Sequence, residues 1–306
     1  YDMLNESHLL VDVVFDSQLT MEKLSPYRVL FLSESTCLSD EQCRQIRAFS
    51  TRGGTVIATG RTSLYDEFGV QRDNFALADL FGVDYRGPEA GGKRHGVLYV
   101  PQTKALKQFG YIIAFAGHDW QVSLRGDARA KVLCTRSSLK GSEPLNDFDS
   151  KGDYDSGQPT VVMNHVGKGK VIYISGDVGG GYIHNPHPPL KRFIAQLVGR
   201  SRPPIEFEAP RVIEVAAAVR DNGQLMIHLL NNPNRFLPFT TSHRDLRSHF
   251  FLQEINPIRD VRIRLNDFGV KAARLGLQNR FLPVAGNPPT LVVPEVKLHE
   301  VVLLDL

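Results

Sequence analysis

Cysteine is scarce in this sequence: Cys37, Cys43 and Cys134 are the only three in 306 residues. An odd number without metal-ligand spacing argues against a disulfide framework and against structural zinc, and makes a reducing, cytoplasmic location the expectation. Long hydrophobic runs are missing as well. No stretch approaches the roughly 18 apolar residues that a membrane-crossing helix needs, and the N-terminus lacks a charged segment followed by an apolar one. Charge of one sign is not in excess: 36 Lys and Arg against 33 Asp and Glu leave a formal net charge of +3. Net charge therefore points to no nucleic acid or other polyanion. There is no internal repeat, and no initiator methionine stands before Tyr1, so an incomplete N-terminus is expected.

What is present is enough apolar material, 42% of the chain, for one large or two ordinary domains. Residues 1–10 read as a helix, with Tyr1, Leu4 and His8 spaced for one face, and Val11–Phe15 as a short strand. Leu30–Leu32 is the core of the next strand. Ser39 then offers an N-cap with Gln42 at the capping-box position, Cys43, Ile46 and Phe49 form a buried stripe, and Gly53-Gly54 closes the helix before a buried strand at Val56–Ala58. Strand, capped helix, glycine turn and strand form the grammar of a parallel sheet with crossover helices. A sheet that begins with a helix also implies a strand upstream of Tyr1.

Further along, Phe75–Phe81 is predicted as a short helix ended by Gly82, and 96–100, 111–115 and 131–134 as extended segments. Ser142–Gly157 is the most loop-like stretch. Pro159–Asn164 and Lys170–Ile174 flank Gly167-Lys168-Gly169 as an antiparallel hairpin. Pro188 and Pro189 suit the first turn of a helix whose apolar face is Leu190, Phe193, Ile194, Leu197 and Val198. Composition changes at Gly199–Pro204. Beyond it the pattern alternates with period two, at 212–216, 224–230, 261–265, 290–293 and 299–304, with Asp221-Asn222-Gly223 as a hairpin turn. Such short strands imply a small antiparallel sandwich or barrel. Alternation puts Arg259, Arg262 and Arg264 on a solvated strand face. The expected domains are residues 1–202 and 203–306.

Four segments in this order, Ala48–Gly60 at the end of the Ser39-capped helix and through the strand after it, Thr62–Glu67, Ala76–Val83 and Val166–Asp177, resemble the trimerisation domain of family 42 β-galactosidases and related glycoside hydrolases. The resemblance covers about two thirds of the chain, and the last third by architecture and by Ile227–Asn231. It implies a flavodoxin-like, class I glutamine-amidotransferase-like α/β open sheet with an antiparallel hairpin, followed by a small all-β sandwich. It also implies a preceding catalytic (β/α)8 barrel. The barrel, which carries the two catalytic carboxylates in those hydrolases, is absent from these 306 residues.

No nucleophile motif occupies the sheet. An amidotransferase-like cysteine sits on a glycine-flanked strand-to-helix turn with a histidine partner. Cys37 follows a strand but has no flanking glycine, and small packing residues are the favoured reading of all three cysteines. His184 and His187, with Asp177 and His165, suggest a metal site, yet Pro186 and Pro188 break the helical geometry that would bring the histidines together. Gly176–Gly181 superficially resembles a phosphate loop, but it lacks the required Lys-Ser/Thr and Gly spacing, and a tight chain reversal explains it better. No metal and no cofactor is expected. If the chain touches sugar, Arg61, Tyr65, Asp66, Glu67 and His184 are the set to choose, because carboxylates and aromatics grip hydroxyls and ring faces on loops at the carboxyl edge of a sheet. Asp66 and Glu67, being adjacent, do not suit a paired acid/base role.

The expected role is therefore non-catalytic: an assembly region that packs on an upstream barrel and on other copies of itself, as a dimer or trimer, across roughly 800 Å² per partner. Two alternatives stand beside it. One is an independent amidotransferase-like enzyme with a Cys or His of perturbed pKa in a deep pocket. The other is a carbohydrate-binding module that stacks sugar on Trp120, Tyr182 or another exposed aromatic.

Overall fold

In the computed structural model, which describes residues 1–88, 97–109, 113–115, 117–126, 129–137, 155–184, 186–199, 203–233 and 255–306, contacts divide the chain into residues 13–198 and a second unit joining 1–12 to 199–306. The elements, in chain order, are α1 (Asp2–Asn5), α2 (Met21–Leu24), β1 (Val29–Leu32), α3 (Asp40–Thr51), β2 (Thr55–Thr59), α4 (Ala78–Phe81), β3 (Val83–Pro88), β4 (Val97–Pro101), α5 (Lys104–Lys107), β5 (Ile113–Phe115), β6 (Trp120–Leu124), β7 (Lys131–Ser137), β8 (Asp155–Val166), β9 (Gly169–Ile174), α6 (Val178–His184) and α7 (Pro188–Val198). They continue with β10 (Ile205–Glu208), β11 (Ile213–Val219), β12 (Leu225–Asn231), β13 (Ile258–Leu265), β14 (Ala272–Leu275), β15 (Arg280–Phe281), β16 (Thr290–Val296) and β17 (His299–Asp305).

Residues 13–198 build a mixed open sheet in the order β1-β2-β9-β8-β7-β4-β5, with β3 and β6 paired separately. Among the described pairings β1–β2 and β2–β9 are parallel, and those from β9 through β8, β7 and β4 to β5 are antiparallel. The crossover from β1 to β2 is α3, and its ends are built as the sequence predicts. Ser39 Oγ accepts the Gln42 N–H at 3.2 Å while Gln42 Oε1 accepts the Ser39 N–H at 2.8 Å. At the other end the N–H groups of Gly54 and Gly53 donate to the carbonyls of Phe49 and Ser50, a Schellman closure. Cys43, Ile46 and Phe49 are buried against Leu32, Val56, Ala58 and Tyr173 of the sheet, and each apolar side chain so buried contributes about 1.5–3 kcal/mol. Tyr173 also stacks on Phe81 with ring centroids 5.0 Å apart, and Phe75 closes the cluster.

The hairpin β8–β9 is antiparallel around Gly167-Lys168, and α7 buries Leu190, Phe193, Ile194 and Leu197. Four expectations need correction. Val11–Phe15 forms no strand: Val13 and Phe15 are 58% and 65% exposed and make no sheet pairing. The N-terminal helix is one turn long, ended where His8 takes a φ of +54°. Gly179–Gly181 lie inside α6 rather than in a reversal. There the Asp177 carboxylate accepts the Gly180 N–H at 2.8 Å, and a Cβ on Gly179 would meet Ser33 Oγ at 2.8 Å. The short helix before Gly82 starts later than expected, at Ala78, because the Asn74 side chain accepts the N–H groups of Phe75 and Tyr85 and holds the chain out of helix. The loop expected at Ser142–Gly157 falls largely outside the described residues, and its last three residues open β8.

The second unit is an antiparallel sandwich. A three-stranded sheet, β10-β13-β16, and a five-stranded sheet, β11-β12-β17-β14-β15, share one apolar core. Ile205, Val261, Ile263, Leu291 and Val293 come from the first, and Ile213, Ile227, Leu229, Val302 and Leu304 from the second. The arginines of β13 lie outward, as alternation requires. Arg264 and Arg262 pair with Glu206 and Glu208 of β10 at 3.2 and 3.6 Å, and Arg259 lies 3.9 Å from Glu295 of β16. Among the described residues no helix is long and apolar enough to cross a membrane.

Candidate functional site

The carboxyl ends of β1, β2 and β9 share one edge of the sheet, the edge at which open α/β sheets bind ligands. Just beyond β1, Glu34 adopts a φ of +48°, a left-handed conformation uncommon for a residue with a side chain. Its N–H donates to Thr59 Oγ1 at 3.1 Å, and its carbonyl accepts both the N–H and the hydroxyl of Thr36. The Glu34 carboxylate accepts the Arg61 N–H at 3.3 Å and lies 3.4 Å from the Arg61 guanidinium. Gly60 makes this approach possible: a Cβ there would lie 2.0 Å from Glu34 Oε1, and its φ is +56°.

Arg61 in turn lies over the indole of Trp120, 5.3 Å from the ring centroid, within the range of a cation–π contact. Trp120 is only 7% exposed. Behind it stands a buried polar network. Asp119 Oδ1 accepts the hydroxyls of Ser175 at 2.6 Å and Tyr99 at 3.1 Å, and Oδ2 lies 2.9 Å from the Arg136 guanidinium. Burial pushes the Asp119 carboxyl above its ordinary range against the pull of Arg136 and the two hydroxyls. Burial and the neighbouring Asp119 push the Tyr99 phenol well up. This network pins the segment before β6 to the end of β9, where Asp119 pairs with Gly176.

The loop after Arg61 is tied down along its length. Tyr65 bridges to Cys37 through its backbone, and its hydroxyl donates to Gln71 at 3.2 Å. Arg72 donates to the carbonyls of Leu38 and Tyr65 and pairs with Asp40 at 2.9 Å. Asp66 Oδ1 accepts the N–H groups of Phe68 at 3.0 Å and Val70 at 2.8 Å, and its own N–H donates to the Val70 carbonyl. The result is a tight turn whose tip presents Phe68, 85% exposed, beside Val70.

Of the expected site residues, Arg61 faces Glu34 and Trp120, Asp66 is turned into its own loop, and Glu67 is exposed. His184 ends α6, and its side chain lies outside the described residues. Glu34, Asp119 and Phe68 carry much of the geometry at this edge and were not anticipated. The Asp and Gly flanking the Asp66–Gly69 turn are a signal that could have found Phe68, whereas nothing local marks the left-handed Glu34. Trp120 and the 3%-exposed Tyr182 are both buried, so neither offers an open stacking face. Cys37 is exposed, Cys43 is buried in α3, and burial pushes the Cys134 thiol up to about 12, away from a reactive thiolate. Among the described residues no three His, Cys, Asp or Glu side chains are grouped to hold a metal ion.

A family model described as the β-galactosidase trimerisation domain matches residues 1–198. The chain is 27% identical to β-galactosidase LacZ of Heyndrickxia coagulans over 237 residues, which is 77% of this chain and 30% of that protein. It is 24% identical to β-galactosidase BglY of Alicyclobacillus acidocaldarius over 190 residues, 61% of this chain and 24% of that protein. The chain thus spans less than a third of the length of these curated relatives. Among solved structures, α-L-fucosidase isoenzyme 2 from Paenibacillus thiaminolyticus superposes with a TM-score of 0.70 at 19% identity, over 99% of this chain and 44% of that one. The β-galactosidase from Bacillus circulans sp. alkalophilus superposes with a TM-score of 0.62 at 15% identity, over 100% of this chain and 36% of that one. At these identities the likeness is one of fold.

Proposed function

Because the chain belongs to the β-galactosidase trimerisation domain family, we propose that it is the non-catalytic assembly region of a larger glycoside hydrolase. In this reading it holds copies together and packs on a catalytic barrel contributed by another part of the protein, in a cytoplasmic setting. The observation that carries the reading is the loop at 61–72. An exposed aromatic held on a turn fixed by Asp66 and Arg72 loses little freedom on binding, which is how interface anchors work. The partner for that anchor is a second copy of the chain.

The neighbouring groups support a rim role at the same edge. Arg61, Tyr65, Asp66, Glu67 and His184 are the residues we assign to contact with sugar where this edge borders the active site of the whole enzyme. Catalysis by the chain alone is not part of the reading, since the polar groups at the edge are engaged with one another and the buried thiols are pushed towards the neutral form. The test uses the chain by itself. Light scattering on a size-exclusion column should give an oligomer, and the same sample should leave a nitrophenyl galactoside uncleaved. A monomer at all concentrations, or turnover that survives repurification, contradicts the proposal.

A further inference from the structure

The two ends of β2 carry opposite charge. At the amino end, the strand termini bring to one edge Arg28 before β1, Arg52 before β2, Lys168 before β9 and Lys131 opening β7, all of them exposed. No Asp or Glu stands within two positions of any of them in the chain. Arg52 and Lys168 sit on touching segments, because the Lys168 N–H donates to the Thr51 carbonyl at 3.1 Å. That approach needs Gly167, where φ is +59° and a Cβ would lie 2.7 Å from the same carbonyl oxygen. Among the described residues neither Arg52 nor Lys168 pairs with a carboxylate. Arg52 caps the carboxyl end of α3, and the partial negative charge there offsets part of the repulsion between the two cations.

At the other end of β2, about 20 Å away at roughly 3.3 Å per residue from Gly54 to Gly60, the loop that carries Phe68 is acidic at its outer positions. Glu67 and Asp73 are exposed, and among the described residues neither pairs with a cation. Phe68 and Val70 stand between them in the chain and are exposed as well. Both charged sets belong to the unit 13–198, and the length of β2 keeps them from meeting within one copy. Between two copies they can meet. Such a contact joins one patch to a different patch, a heterologous arrangement that closes into a ring when the rotation between copies allows it.

We propose that the surface receiving the Phe68 tip is the basic edge of the next copy, with Glu67 pairing with Arg52 and Lys168 across the contact. The chemistry matches on both sides. A carboxylate beside an exposed ring meets two cations beside each other, so charge-assisted hydrogen bonds form at Glu67 while the Phe68 ring lies against cationic heads and their aliphatic stems. Complementary charge also fixes which patch the tip selects and excludes tip-to-tip pairing, which would bring Glu67 against Glu67. A carboxylate has lone-pair sites for more than one donor, so this pairing is compatible with the sugar contact assigned to Glu67. The inference rests on the assembly reading and adds the partner surface to it.

Charge exchange tests it, read by sedimentation equilibrium with circular dichroism as the check on folding. Arg52→Glu with Lys168→Glu, and separately Glu67→Arg, should each weaken association roughly tenfold or more and keep the native spectrum, since all three positions are exposed. The three substitutions in one chain exchange the charges across the contact and should bring association back to within about threefold of native. Native association should also weaken as salt rises from about 50 to 500 mM. A triple variant that stays as weak as its parents would overturn the assignment. Heparin binding that the Arg52 and Lys168 substitutions abolish, with association untouched, would give the edge to a polyanion instead. Association lost in Phe68→Glu but unchanged in Arg52→Glu with Lys168→Glu would overturn this receptor and leave the assembly reading standing, whereas a native chain that is monomeric throughout would remove both.

Discussion

At the scale of single residues, the sheet edge depends on Gly60 giving way to Glu34. Gly60→Ala adds a Cβ where the Glu34 carboxylate lies and sets a non-glycine residue at a φ of +56°, at a cost on the order of 2 kcal/mol. Urea unfolding should show that loss, and Glu34→Ala in the same chain should recover part of it, a coupling that a double-mutant cycle measures. Asp119 gives a pH prediction. Burial raises its folded pKa above the ordinary 3.8, so the folded state holds the proton more tightly than the unfolded chain does. Its contribution to stability is full below that ordinary value and is lost as pH rises through the raised pKa. The stability difference between the native chain and Asp119→Asn should therefore shift against the native chain as pH rises from about 4 towards neutrality. A difference that is flat with pH would remove the carboxyl from this account.

Elements were readable where local chemistry decides the outcome. The Ser39–Gln42 box and the Gly53-Gly54 closure place both ends of α3, and Ser39→Ala should cost about 1 kcal/mol in thermal or urea unfolding. The Gly167-Lys168 hairpin and the Asp221–Gly223 turn were equally plain, because each joins strands of clean alternation. Val11–Phe15 misled because apolar residues in a row read as strand, while Val13 and Phe15 are in fact left exposed. Three successive glycines read as a turn, yet close approach to Ser33 and the Asp177 carboxylate puts them in α6. At the site, loop position identified Arg61 to Glu67, but direction was invisible: Asp66 hydrogen bonds within its own turn. Trp120 looked like a platform and is packed beneath Arg61. The left-handed Glu34 arises from long-range contacts to Thr59 and Arg61, which no local pattern encodes. If the Asp66 turn rigidifies the loop, Asp66→Ala should keep the native circular dichroism and raise amide exchange at Phe68 and Val70 severalfold. Unchanged exchange would show that Arg72 alone suffices.

For the whole molecule, the open sheet and the sandwich are each complete in their own core, and the family match covers residues 1–198. The account holds that self-association runs through the Phe68 tip rather than through any exposed apolar residue. Phe281, 74% exposed on β15 of the sandwich, is the matched control. Sedimentation equilibrium on the native chain, Phe68→Glu and Phe281→Glu separates the two. Losing an aromatic anchor costs about 2 kcal/mol or more, so Phe68→Glu should weaken association roughly thirtyfold or more while Phe281→Glu matches the native chain. Equal association by all three would contradict the central claim.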